Sequence, residues 1–338
     1  MRINNNIITL APSMACLIVA LMSPLSACTA GGGDNELMAG VLVPCPGNAD
    51  PVPAGPPCGL VCRAALPIRD SNSRLFLVDI SVNGKPATVV LDTGASQTAL
   101  SPSAADRIGL APSTPQPRKM FAIGGATDAR STPIESIAIG HLQLGPGHVY
   151  VIPQATAVAG TGELGYDGLL GNDILARYQM DLDFAHQIVR LYDGKRCPGL
   201  LPGWPSEAAI VPFINRPGTP LVAISAALNG VAVPTLLDTG AEMTVAGENT
   251  ARRLKVGPTE MQHDAQIAAL GIGPTAVPGH IHYFDNLQLG GAIVANPAVQ
   301  VIPEQLPNPG MILGDTVLSN RRVWIDYPGR QVHFGFSD

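Results

Sequence analysis

The chain is 338 residues long with a formal net charge of −6; 46% of its residues are hydrophobic, 14% charged and 4% aromatic. Such a length suggests roughly two domains of ordinary size, and the hydrophobic share excludes a disordered chain. The mild acidic balance, with no Lys/Arg run, argues against nucleic acid as a partner. Its 37 Gly and 32 Pro follow no G-X-Y period, which excludes collagen and fits an all-β chain rich in turns.

Residues 7–27 read IITLAPSMACLIVALMSPLSA, and Arg2 is the one charge before them. An apolar stretch with a basic start and small residues at its end is an export signal, here residues 1–27. Pro12, Pro24 and the small-residue end argue against a permanent transmembrane helix. Leu25-Ser26-Ala27-Cys28 resembles the lipobox of bacterial lipoproteins. That resemblance implies diacylglycerol on Cys28 and cleavage just before it. Thr29 follows, not Asp, which in that family implies anchoring to the bacterial outer membrane, on its periplasmic or surface face. A plain secretory signal with an incidental cysteine is the alternative; in either case the chain is exported.

Residues 28–73 contain GGG and PCPGNADPVPAGPPCG. Gly and Pro at that density form no regular element, so the segment reads as a tether. Once Cys16 leaves with the signal and Cys28 takes lipid, Cys45, Cys58, Cys62 and Cys197 remain. An even number in an oxidising compartment suggests two disulfides. Three connectivities are open. Cys45–Cys58 with Cys62–Cys197 is the favoured one, because the second bridge pins the start of the first repeat to its end.

The remainder repeats itself. PATVVLDTGASQTAL at 86–100 matches AVPTLLDTGAEMTVA at 232–246, an offset of 146. Leu142-Gln143-Leu144-Gly145 matches Leu287-Gln288-Leu289-Gly290 at an offset of 145, and Leu169-Leu170-Gly171 matches Ile312-Leu313-Gly314 at 143. Landmarks in the same order at near-constant spacing mark two tandem copies. They divide the chain into residues 74–196, a Pro-rich linker at 197–219, and residues 220–338.

Within each copy an apolar run leads into Asn-Gly, at Asn83-Gly84 and Asn229-Gly230, the strongest short hairpin signal. Ser101–Ile108 reads as a short helix with a Ser cap and Pro in its first turn, and Asn172–Tyr178 as a second. Everything else reads as short strands and turns. His280-x-His282 alternates as strand neighbours do and reads as surface residues, not a metal pair.

In both copies an apolar strand ends in Asp-Thr-Gly. A buried carboxylate must be hydrogen-bonded or paired, and the Gly allows a tight turn whose N–H groups face it. Two such turns meeting at a two-fold axis bring their carboxylates too close to ionise together, so that one proton is shared. Such a dyad can hold a water, deprotonate it with one carboxylate and protonate a substrate carbonyl with the other.

Asp92-Thr93-Gly94-Ala95 and Asp238-Thr239-Gly240-Ala241 resemble the catalytic turns of aspartic proteases, and Leu169-Leu170-Gly171 with Ile312-Leu313-Gly314 resemble the element that crosses beneath them in that fold. The resemblance covers residues 74–338. It implies an all-β, two-lobed acid-protease fold with a cleft between two retropepsin-like lobes in one monomeric pseudodimer. It implies that Asp92 and Asp238 are the catalytic pair, that Thr93 and Thr239 grip one another between lobes, and that Gly94 and Gly240 offer N–H groups to the carboxylates. Ile123-Gly124-Gly125 and Gly271-Ile272-Gly273 look like retropepsin flaps, and the first candidate, Lys119–Asp128, lacks the Tyr of a pepsin flap. At the position after Ala the copies differ, Ser96 against Glu242. The implied activity is an aspartic endopeptidase acting on protein or peptide, with no metal or other cofactor. A catalytically silent peptide-binding or assembly lipoprotein on the same fold is the alternative.

Overall fold

The computed structural model describes residues 61–69, 75–111, 116–153, 165–193, 208–214, 218–303, 306, 310–319 and 321–336. The export segment, the lipidation residue Cys28, the tether up to residue 60 and Cys45, Cys58 and Cys197 lie outside them. Cys62 is disulfide-bonded, and its partner lies outside the described residues. No described helix is long and apolar enough to cross a membrane.

Each repeat opens with its Asn-Gly hairpin. Leu77–Val82 pairs antiparallel with Lys85–Leu91, and Ala223–Leu228 with Val231–Leu237. Asn83 and Gly84 have φ of 50° and 74°, and Asn229 and Gly230 of 45° and 76°. Two consecutive positive φ values match the twist of the flanking strands. Each lobe then builds a nine-stranded sheet within the described residues, and the strand order is the same in both. At its centre, Gly168–Leu170 lies parallel to Val89–Leu91, and Met311–Leu313 parallel to Thr235–Leu237. These central strands are buried, which explains why they read as apolar runs and not as alternating ones.

A third, six-stranded sheet joins the lobes, in the order Val61–Pro67, Ile188–Asp193, Gln179–Asp183, Arg321–Asp326, Gln331–Phe336, Ala209–Pro212. Its seam is the antiparallel pair of Gln179–Asp183 with Arg321–Asp326, where Leu182 faces Val323. Both are fully buried, and full burial of such side chains contributes about 2 kcal/mol each. One apolar core runs through both lobes from this seam to Leu91 and Leu237, the residues before the two Asp-Thr-Gly turns.

This sheet corrects two boundaries expected from sequence. The tether was placed at 28–73, yet Val61–Pro67 is a strand with Cys62, Ala64 and Leu66 buried. The high Gly and Pro density ends at Gly59, and the strand that follows buries every second residue against the sheet's core side. The linker was placed at 197–219, yet Ala209–Pro212 pairs with Gln331–Phe334. Pro212 is tolerated because this strand is at the sheet edge.

Pro102–Ile108 is the expected helix; the Ser101 hydroxyl accepts the Ala104 N–H at 3.1 Å, and Gly109 closes it with φ 80°. Its twin, Glu248–Arg253, starts after Gly247 without a side-chain cap and so carried no signal. The second expected helix is shorter than Asn172–Tyr178, a single turn at Asn172–Leu175, with a twin at Asp315–Leu318.

Candidate active site

The two Asp-Thr-Gly turns hang at the ends of Lys85–Leu91 and Val231–Leu237. The Asp92 N–H donates to Leu170 O and the Asp238 N–H to Leu313 O, each at 3.0 Å, so each turn is tied to the apolar strand beside it. Gly171 and Gly314 end those strands. A Cβ on Gly171 would lie 2.6 Å from Gln97 C, and one on Gly314 2.3 Å from Met243 O, so the landmark glycines mark close backbone approach.

The turns grip one another. The Thr93 N–H donates to the Thr239 hydroxyl at 3.0 Å, and the Thr239 N–H to the Thr93 hydroxyl at 3.0 Å. In turn Thr93 Oγ1 donates to Leu237 O at 2.8 Å and Thr239 Oγ1 to Leu91 O at 2.6 Å. Both threonines are fully buried, and no hydroxyl or amide of this ring lacks a partner.

The carboxyls of Asp92 and Asp238 are hydrogen-bonded to each other. The Gly94 and Ala95 N–H groups each donate to Asp92 Oδ1 at 2.9 Å, and the Gly240 N–H to Asp238 Oδ1 at 2.9 Å. Each glycine also lies against the opposite carboxyl. A Cβ on Gly94 would come 2.2 Å from Asp238 Cγ, and one on Gly240 2.5 Å from Asp92 Cγ. Burial, and then the neighbouring Asp238, push the Asp92 carboxyl well above the usual carboxylate range. Burial raises Asp238 as well, against the lowering effect of the Gly240 N–H and of its bond to Asp92.

The dyad lies in the wall of a cavity of about 650 Å³, lined by both lobes and mostly apolar. Two hairpins reach into its wall. One joins Arg118–Ala122 to Gly125–Ile134 and turns at Ile123 and Gly124; the other joins Ala265–Ala269 to Val277–Tyr283 and carries Gly271, Ile272 and Gly273 at its tip. The tips touch: the Gly273 N–H donates to Ile123 O at 3.2 Å, and the Thr275 N–H and hydroxyl to Gly124 O at 3.3 and 2.7 Å. Gly125, Gly271 and Ile272 line the cavity with Ile123.

These contacts bring together the sequence-derived residues Asp92, Asp238, Thr93, Gly94, Thr239, Gly240 and the six hairpin-tip residues. Two segments of the chain match family models: residues 78–174 match an aspartyl protease model, and residues 224–320 the aspartyl protease model of gag polyproteins. The chain belongs to the aspartyl protease family. It is a tandem, retropepsin-like member, and the two matches together span more than half of it. No curated protein matches it.

Other residues in and around this aspartyl protease's site carried no catalytic signal in the sequence. Tyr166 lines it, and burial, then Glu242, then Asp92 push its hydroxyl up to about 12. It precedes the Leu-Leu-Gly element in one repeat only, so no repetition marked it. Asn172 donates to Thr93 O at 2.6 Å and to Ala95 O at 3.1 Å, holding the first turn from below. His282 is bonded to Asp264 Oδ2 at 2.7 Å and packs edge-on to Phe284. Among the described residues, no group of three or more His, Cys, Asp or Glu is placed to hold a metal ion.

Proposed function

We propose that this aspartyl protease is an endopeptidase in which Asp92 and Asp238 share one proton and activate a water. One observation carries the reading: a carboxyl from each lobe, bonded to the other, sits in the wall of a two-lobed cavity under paired hairpin tips. A scaffold has little reason to keep two such groups together in a buried site. Both carboxyls are raised, so one of the pair holds the resting proton and the other is the base.

A peptide lies extended between the turns and the hairpin tips. The ionised carboxyl takes a proton from the water as its oxygen attacks the scissile carbonyl carbon, and the protonated one gives its proton to the carbonyl oxygen. The product is a neutral gem-diol, with the dyad still holding one proton. The carboxyl that took the water proton then protonates the amide nitrogen while the other recovers a hydroxyl proton, and the C–N bond breaks to give a carboxylic acid and an amine. No acyl-enzyme forms. Thr93, Thr239, Gly94 and Gly240 fix the dyad, and the hairpins act as two flaps. One chain supplies both lobes, so the working unit is a monomer.

We further propose that the protein is exported and held on the outer membrane through lipid on Cys28, with the protease on the periplasmic or surface side. Substituting Cys28→Ser should move it from the membrane to the soluble fraction.

The test of activity is digestion of a diverse peptide library by residues 29–338 from about pH 3 to 7, beside Asp92→Asn and with or without a statine inhibitor. Cleavage that the variant loses and the inhibitor blocks supports the dyad. Peptide binding with no cleavage at any pH would leave a silent peptide-binding protein.

A further inference from the structure

The cavity wall is chemically lopsided. Among the described residues its charged lining is Asp92, Asp238 and Glu242, with no Lys, Arg or His. The dyad carboxyls are bonded to each other and to backbone N–H groups, whereas among the described residues Glu242 makes no hydrogen bond or ion pair. Glu242 is exposed to the cavity, four residues after Asp238. The equivalent position in the first lobe is Ser96, which is neutral and does not line the cavity. Tyr166 senses both Glu242 and Asp92, so Glu242 faces the same stretch of cleft as the dyad.

We propose, on the reading of the site as an endopeptidase, that Glu242 selects substrates with a Lys or Arg side chain at one fixed place on one side of the scissile bond. A peptide filling the cleft strips water from Glu242 in a cavity whose lining is mostly apolar, Ile267, Leu270 and Leu306 included. A carboxylate so covered is stabilised by a cation and penalised by an apolar or acidic neighbour. Among the described residues no cation lines the cavity, and a basic substrate side chain supplies one. The equivalent position in the first lobe is the neutral Ser96, so the preference is one-sided.

The experiment digests an N-acetylated peptide library with wild type, Glu242→Gln and Glu242→Lys, with Asp92→Asn as the inactive control. Acetylation leaves side chains as the source of positive charge. The expected result is enrichment of Lys and Arg, about fivefold or more, at one position on one side of the cuts. Glu242→Gln should erase it, and Glu242→Lys should replace it with a preference for Asp or Glu. Cuts without that enrichment, or enrichment that survives Glu242→Gln, overturn the inference and leave the endopeptidase reading intact. If wild type cuts nothing, the endopeptidase reading fails, and binding decides the selectivity. Acetylated peptides that differ only as Lys or Met, scanned along the sequence, are then titrated by fluorescence anisotropy. Tighter binding of Lys at one register, lost in Glu242→Gln, supports the selectivity; equal binding or none overturns it.

Discussion

The Tyr327 hydroxyl, on the second lobe, donates to the side-chain oxygen of Asn172, on the first. Asn172 is buried, and its amide donates in turn to Thr93 O and Ala95 O, so the second lobe braces the first active turn through one side chain. The counterparts at the repeat offset are Phe184 and Asp315. Phe184 has no hydroxyl, so this brace exists on one side only. Tyr327→Phe should fit, since the equivalent site already holds Phe. It leaves Asn172 Oδ1 without its donor, a loss of about 1–2 kcal/mol. Urea unfolding of the two proteins checks it; an unchanged midpoint would mean that water or another donor replaces the hydroxyl.

The dyad predicts a pH dependence with a definite sign. Asp92 and Asp238 both have carboxyls raised in the folded state. Such a group binds its proton more tightly folded than unfolded, so its contribution to stability is fully present below the ordinary carboxylate range. That contribution is lost as the pH rises through the raised value. Asp92→Asn mimics the protonated acid and removes the raised titration of Asp92. Urea midpoints measured from about pH 3 to 8 should therefore fall with pH more steeply in wild type than in Asp92→Asn. A parallel pair of curves would mean that the dyad has ordinary acidity.

The glycine of each turn is predicted to be as necessary as the aspartate. Gly94→Ala places a methyl 2.2 Å from Asp238 Cγ, a distance at which the carboxyl must move. A displacement of about 1 Å in a reacting group costs about 100-fold in rate. The expected outcome is a loss in kcat of at least about that size with an unchanged far-UV circular dichroism spectrum. Activity near wild type would show that the carboxyl can shift without harm.

Much of this architecture was legible because the chain states it twice. Asp92 and Asp238, the Leu-Leu-Gly and Ile-Leu-Gly strands and the Asn-Gly hairpins recur at nearly constant offset, and repetition separates signal from coincidence. Ser101 and Pro102 announced their helix through local chemistry. What stayed hidden is what occurs once. Tyr166, the Asn172–Tyr327 bond and the two edge strands of the six-stranded sheet depend on which distant segments meet, and no local pattern encodes that. The Gly- and Pro-rich run before Val61 also masked a strand of only seven residues.

The seam between lobes rests partly on a buried charge. Asp181, fully buried on the first lobe, accepts from Arg322 Nε at 2.8 Å and Nη2 at 2.7 Å, on the second. Arg190 adds a bond at 3.3 Å. Asp181→Ala leaves two guanidinium groups without their shared acceptor. Because both are partly exposed, the expected loss is about 2–4 kcal/mol, at or below the usual range for breaking a buried pair. Urea unfolding measures it, and a loss under about 1 kcal/mol would mean that Asp183, 3.6 Å from Arg190 and 3.9 Å from Arg322, takes over.

The hairpin tips supply the last prediction, and it can be read without substrate. The Thr275 hydroxyl and N–H both donate to Gly124 O, while the Gly273 N–H donates to Ile123 O. Thr275→Val keeps the amide bonds and the shape of the side chain but removes the hydroxyl bond at 2.7 Å. A hydrogen bond of this kind contributes about 0.5–1.5 kcal/mol net, so the tips should part about 2- to 10-fold more often. Hydrogen exchange at the Gly273 and Thr275 amides should accelerate by that factor, while exchange in the central strand Val231–Leu237 should not change. If the hairpins close over bound peptide, the same variant should bind peptide more weakly by a similar factor. Faster exchange with unchanged peptide affinity would mean that substrate holds the tips by its own backbone, and that the Thr275–Gly124 bond matters only when the cleft is empty.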